Sequence, residues 1–288
     1  MGHVPKPWQP RDLAGADWPE AQLAGEDFSG AILTAANLKG AFLTRATLLH
    51  ADLVDADLTR AQCRGADFRG ADLRGATLVD ADLTDASFIG ASLAGANFRG
   101  ANLSRASLVG IHGNGADLSG ALLSGANLSG ANLSDAELTA AVFTTANLTG
   151  ATLANANLTR AKFALATVTG AVFRQANLTD AALRGADLTG ADFKDAVLTG
   201  ADLSGANLRI ADLTGVLARE ANLEGANLTA ANLTDADLTD AILESAVLVC
   251  TDFTRTNLWN VDLRAATLVA VDLTIADLTG AQIPPLQS

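Results

Sequence analysis

The chain of 288 residues carries 32 Asp and Glu against 19 Lys and Arg, which gives a net charge of -13. This acidity disfavours contact with nucleic-acid phosphates and favours a protein partner with a basic surface. No run approaches the roughly 20 apolar residues of a membrane span, and the N-terminus lacks the apolar core of a secretory signal, so we expect a cytoplasmic protein.

The first ten residues, MGHVPKPWQP, precede the regular part of the chain and hold three of its six prolines. Proline lacks a backbone donor and blocks strand addition. We therefore predict an N-terminal cap over residues 1–10 and, from Pro284 and Pro285, a short C-terminal cap over residues 281–288.

Residues 11–280 divide into 54 pentads without insertion or deletion, for example ADLTR at 56–60. We number the five residues of each pentad as positions 1 to 5. Position 3 is Leu or Phe in 49 pentads, and position 1 is Ala in 46. A period of five fits neither a helix nor a strand. The chain must therefore point one small and one large side chain inward in each pentad, turn, and coil around its own axis.

This pattern resembles the pentapeptide repeat family, whose motif is A(D/N)LxX, over 270 of 288 residues. The resemblance implies an all-β fold, a right-handed quadrilateral β-helix in which four pentads make one coil, hence about 13.5 coils in a single domain of ~65 Å at the usual strand spacing. Phenylalanines recur at the expected 20-residue spacing in three pairs, Phe68 and Phe88, Phe143 and Phe163, and Phe173 and Phe193.

Of the five pentads without Leu or Phe at position 3, two have a very small residue there. IHGNG at 111–115 places Gly113 there, and VLARE at 216–220 places Ala218 there. A local bulge or an unfilled core would explain both, and a partner site or a hinge is the alternative.

The residues that support catalysis or metal binding are few and scattered. His50 and His112 lie three coils apart, and Cys63 and Cys250 lie about nine coils apart, too far for a disulfide. We predict no catalytic, cofactor or metal site, and no enzyme activity. Neighbouring carboxylates such as Asp252 and Asp272 are expected to stack, where they would raise each other's pKa, hold a cation, or form a solvated ladder.

Surface charge differs among the four sides of such a rod. We name face 1 the pentads that begin at 11, 31, 51 and onward, face 2 those from 16, face 3 those from 21, and face 4 those from 26. Their net charges are -6, -6, 0 and -2. We predict that the partner-binding residues are the exposed Trp259 and the acidic residues of faces 1 and 2, namely Asp180, Asp192, Asp195, Asp212, Asp235, Asp237, Asp240 and Asp252.

Face 4 offers an alternative association surface, since it is nearly uncharged between Ala46 and Gly170 and carries Leu49, Ile89 and Val109. Isolated apolar surface residues are also ordinary.

Within the family, the chain resembles the Qnr-type and mycobacterial members that interact with DNA gyrase. This implies a DNA mimic that binds DNA gyrase or topoisomerase IV and gives resistance to fluoroquinolones. The alternative is a non-catalytic scaffold for protein–protein interactions unrelated to topoisomerases. The chain lacks the projecting loops of the Qnr-type members and the C-terminal dimerisation helix of the mycobacterial type, so a homodimer stays an open alternative.

Overall fold

The 20-residue coil is visible in the backbone pairing of the computed structural model, which describes residues 11–284. Parallel bridges join residues 20 apart, from Asp12 with Ile32 at one end to Asp262 with Gln282 at the other. This offset confirms that four pentads make one coil of a β-helix. The predicted cap over 1–10, and residues 285–288 of the other cap, lie outside the described residues.

Each pentad uses its five backbone N–H groups in a fixed way, as residues 56–60 show. The N–H of Ala56 donates to Leu53 O across the corner (3.0 Å), and the N–H groups of Asp57, Leu58 and Arg60 donate to neighbouring coils at 2.7–2.9 Å. The remaining N–H, that of Thr59, donates to Asp57 Oδ1 at 3.0 Å. Asp or Asn at position 2 therefore satisfies the one donor that the ladder leaves without a backbone acceptor.

The fifth position of nearly every pentad has a left-handed backbone. Gly occupies 24 of these positive-φ positions and other residues occupy 28. Asp and Asn tolerate this conformation, whereas a β-branched residue is strained in it. Thr145 and Ile210 are the two β-branched residues found there.

Positions 1 and 3 build one continuous core along the axis. The three predicted phenylalanine pairs stack with ring centroids 4.7–4.8 Å apart and nearly parallel planes. Rings also meet edge to face across the coil, where Phe163 of face 3 lies 6.3 Å from Phe173 of face 1. The interior is therefore narrow enough for opposite faces to touch.

The irregular pentad at 111–115 causes no bulge, which removes one of the explanations considered for it. His112 pairs with Ser92 and Asn132 in the ordinary register. The buried Ile111 replaces the usual Ala, and together with Leu133 it fills the space that Gly113 leaves: a Cβ on Gly113 would lie 3.6 Å from Ile111 Cδ1 and 3.0 Å from Leu133 Cδ2.

The pentad at 216–220 also keeps its register, but the core there is incompletely filled. Leu217 pairs with Val197 and Asp237. A cavity of about 10 Å³ lies beside Val216 and Ala218, lined by leucines of the adjacent coils. The unfilled core predicted from Ala218 is therefore present, without a bulge.

The last coils differ from the rest at position 1 and contain the two regular strands. Strand β1 spans Val247–Val249 and pairs in parallel with β2, Thr267–Val269. Thr251 and Thr256 replace Ala in the core, and their hydroxyls donate to the carbonyls of Leu228 and Leu233 at 2.9 and 2.7 Å. These bonds satisfy two polar groups that are otherwise buried among apolar side chains.

Candidate functional surface

Reactive side chains do not converge anywhere between residues 11 and 284. No group of three or more His, Cys, Asp or Glu side chains there is arranged to hold a metal ion. Cys63 is buried, which raises the pKa of its thiol, and Cys250 is exposed; both are free thiols. No helix in this part of the chain has the length and apolar character needed to span a bilayer. A candidate function must therefore be sought on the surface.

Arginines neutralise half of the predicted partner-binding carboxylates. Asp192 pairs with Arg174 at 2.5 Å, and Asp237 pairs with Arg219 at 2.6 Å, in each case between position 4 of one coil and position 2 of the next. Asp235 pairs with Arg255 at 2.5 Å, and Asp180 lies 3.9 Å from Arg160. Asp237 is also well shielded, with a side-chain exposure of 13%. These four residues are thus poorly suited to meet a partner's cations.

The other four predicted carboxylates form no ion pair within residues 11–284, namely Asp195, Asp212, Asp240 and Asp252. Asp195 and Asp240 stand at corners, at position 5. Asp212 and Asp252 stand at position 2, where Oδ1 accepts the N–H of Thr214 and Thr254 at 3.0 and 2.9 Å. We name these four residues the free carboxylates, because no arginine or lysine neutralises them within residues 11–284.

Of the three alternatives for neighbouring carboxylates, a mutually raised pKa does not apply to Asp252 and Asp272. Hydrogen bonds from Thr254 lower the pKa of Asp252, and those from Thr274 lower the pKa of Asp272. Asp192 and Asp212 do form a bridge between coils, whereas no bridge joins Asp252 to Asp272 in this part of the described ladder. Hydrogen bonds within the turn therefore account for the lowered pKa values of Asp252 and Asp272.

Charge is concentrated near the C-terminus rather than along the whole length of the acidic faces. Residues 191–280, which we name the acidic third, carry a net charge of -9, and -7 of this lies on faces 1 and 2. Residues 31–190 carry only -1. The acidic third spans 4.5 coils, or ~22 Å, over which duplex DNA would carry about 13 charges. Its charge density therefore approaches two-thirds of that of DNA.

The predicted apolar contacts are partly exposed. Trp259 is 45% exposed on the corner between faces 2 and 3. On face 4, Ile89 is exposed, whereas Leu49 and Val109 are half-buried. Partner binding by any of them stays a prediction.

Comparison with known families agrees with this architecture. Two family models together match most of the chain. One, described as a pentapeptide repeat region, matches residues 81–158. The other, described as pentapeptide repeats, matches residues 12–48, 36–75, 51–88, 176–215, 206–244 and 246–282. The chain belongs to the pentapeptide repeat family.

Two solved pentapeptide repeat structures are similar to it. HetL, which is involved in heterocyst differentiation regulation in the cyanobacterium Nostoc sp. strain PCC 7120, is 31% identical; the match covers 83% of this chain and 91% of HetL, with a TM-score of 0.31. QnrB1, a plasmid-mediated fluoroquinolone resistance protein, is 21% identical; the match covers 68% of this chain and 93% of QnrB1, with a TM-score of 0.31. A comparison with curated proteins found no match.

Acid should weaken this pentapeptide repeat rod through its corner carboxylates. Hydrogen bonds from Thr189 lower the pKa of Asp187, and comparable bonds lower that of Asp252. Because the folded pKa lies below the unfolded value of about 3.9, the contribution is complete above about pH 4 and is lost as pH falls through the folded pKa. We expect the thermal midpoint to be constant from pH 7 to 5 and to drop several degrees by pH 3, as measured by circular dichroism. A midpoint that rises over this range would mean that relief of charge repulsion dominates.

Proposed function

We propose that this chain is a non-catalytic binding rod whose acidic third engages a basic, DNA-binding surface of a protein partner. The observation that carries the proposal is the local charge of -9 in residues 191–280, about two-thirds of the charge density of duplex DNA. A rod on the order of 20 to 25 Å across also has about the width of a duplex. Such a surface would steer association with a cationic groove and lose affinity as salt rises.

DNA gyrase and topoisomerase IV are the partners we propose to test first, because family members resembling this chain interact with them. On this proposal the free carboxylates occupy positions that DNA phosphates would take in the enzyme. Binding would compete with DNA and would protect the enzyme from a topoisomerase poison such as a fluoroquinolone.

The experiment is a gyrase supercoiling assay, with and without a fluoroquinolone, over a salt titration. The test variant changes Asp195, Asp212, Asp240 and Asp252 to Asn, which keeps the corner acceptors while removing four charges. The matched control changes Asp52, Asp55, Asp80 and Asp82 to Asn at the same pentad positions, 2 or 5, in coils where no ion pair involves them.

We expect the test variant to need about tenfold more protein for the same effect on gyrase, and the control to match the parent. Equal activity of the two variants would reject a localised acidic site.

A scaffold unrelated to topoisomerases is the second candidate. It is favoured by the four Arg–Asp pairs, which leave less exposed negative charge than a DNA mimic would use. Absence of any gyrase or topoisomerase IV binding by the parent at low salt would support this candidate and reject the first.

A further inference from the structure

An apolar ridge runs along the corner between faces 4 and 1 within the acidic third. Ile210, Ala230, Cys250 and Ala270 occupy position 5 of four successive coils, and Val249 and Val269 stand beside the last two. The backbone ladder aligns them, since the N–H groups of Ile210, Ala230 and Cys250 donate to the next coil at 2.8–2.9 Å. Ile210 and Val269 are 61% and 52% exposed.

The same corner is built from glycine in the preceding coils. Position 5 is Gly in six successive coils from Gly90 to Gly190, all with positive φ, and the sequence then changes to Ile210. The ridge is therefore a local departure from a corner that carries no side chain from Gly70 to Gly190, although His50 stands at position 5 of the same corner nearer the N-terminus.

Ile210 is strained without a compensating contact inside the rod. It is β-branched at φ 51°, and most of its side chain faces solvent, leaning over Gly190. Glycine would adopt this backbone more readily. An exposed apolar side chain held in a strained conformation points to a role outside the folding of the chain.

Carboxylates line one side of this ridge. Asp212, Asp252 and Asp272 follow Ile210, Cys250 and Ala270 by two residues, and none of the three forms an ion pair within residues 11–284. Arg209 precedes Ile210 at the N-terminal end of the ridge. A second copy of the chain would bring like charges together, whereas a basic partner would be attracted.

We infer that the apolar ridge and its flanking carboxylates form one docking surface for a protein segment in which apolar and basic side chains alternate. The apolar side chains would cover Ile210 and Val269, and the lysines or arginines would meet Asp212 and Asp252. This surface supplies the apolar centre and charged rim that protein interfaces commonly combine. The inference extends the proposed function, whose acidic third contains it.

The test uses a fluorescein-labelled peptide of eight alternating lysines and leucines, with a lysine–serine peptide for comparison, and fluorescence anisotropy. The variant is Ile210→Gly. The matched control is Leu165→Gly, because Leu165 is also exposed (68%) at a positive-φ corner and leans over a glycine, but it lies between faces 3 and 4.

Both variants should unfold at a midpoint no lower than that of the parent, because each removes a strained, exposed side chain. We expect Ile210→Gly to weaken binding of the lysine–leucine peptide about tenfold and Leu165→Gly to leave it unchanged. The lysine–serine peptide should bind the parent more weakly.

Equal binding of the lysine–leucine peptide to parent and Ile210→Gly, or equal binding of both peptides to the parent, would overturn the inference. The inference would also be overturned if sedimentation showed a dimeric parent and a monomeric Ile210→Gly variant, since a second copy of the chain would then cover the ridge. A parent that binds the peptide but not gyrase keeps the docking surface and rejects the topoisomerase partner. A parent that binds gyrase but not the peptide keeps the topoisomerase partner and rejects the docking surface.

Discussion

Replacing Gly113 with Leu is expected to destabilise the rod by about 1–3 kcal/mol, although Leu is the usual residue at position 3. Gly113 does not have a left-handed backbone, so the cost arises from packing alone. Ile111 and Leu133 already occupy the space, and even a Cβ would lie 3.0 Å from Leu133 Cδ2. The double variant Gly113→Leu with Ile111→Ala restores the ordinary Ala and Leu pair and should recover most of the loss.

A gain in stability is expected from filling the core at the other irregular pentad, residues 216–220. Ala218→Val should stabilise by about 0.5–2 kcal/mol, because it fills the cavity beside Val216. Val168 shows that position 3 accepts valine in a fully buried setting. Urea unfolding midpoints of the four proteins would measure both effects. A neutral Gly113→Leu variant, or an Ala218→Val variant less stable than the parent, would show that these coils repack freely.

The coil itself could be predicted because its determinants are local and repeated. Ala at position 1, Leu at position 3 and a turn at positions 4 and 5 recur often enough that the 20-residue spacing of Phe68 and Phe88 carried information about stacking. The role of Asp and Asn at position 2 is equally local, because the side chain accepts the N–H of the residue two positions further on. Neighbouring pentads therefore adopt the same local structure.

Features that depend on contacts between coils were not predictable in the same way. The pairing of Arg174 with Asp192 joins residues 18 apart, a separation that has meaning only once position 4 of one coil is known to lie beside position 2 of the next. The compensation of Gly113 by Ile111 needs side-chain volumes in the folded core. With the coil geometry known, an 18-residue spacing between Arg at position 4 and Asp at position 2 identifies the pair of Arg174 with Asp192 and the pair of Arg219 with Asp237.

These contacts also decide how the acidic faces should be interpreted. Asp195 and Asp237 contribute equally to the net charge of their faces. Asp237 forms an ion pair with Arg219, whereas Asp195 forms none within residues 11–284. The corner ridge was missed for a related reason, since Ile210, Cys250 and Val269 are far apart in sequence and meet only through the ladder. Sequence patterns located the acidic faces, and the coil geometry showed which of their carboxylates are paired with arginine.

Phe163→Ala is expected to cause the largest loss of stability of any single change considered, about 3–5 kcal/mol. Phe163 is fully buried, stacks on Phe143 at 4.7 Å and meets Phe173 edge to face at 6.3 Å, so its removal leaves a large cavity and ends two aromatic contacts.

Leucine substitutions separate the aromatic contacts from the volume of Phe163. Phe163→Leu should cost more than Phe253→Leu, because Phe253 is equally buried but stacks on no other ring among residues 11–284. Chemical denaturation gives the difference, about 0.5–1.5 kcal/mol for the aromatic pairs. Hydrogen exchange should place the weakening in the coils next to Phe163, since each coil contacts only its neighbours. Equal losses for the two leucine variants would mean that the rings act only as core volume.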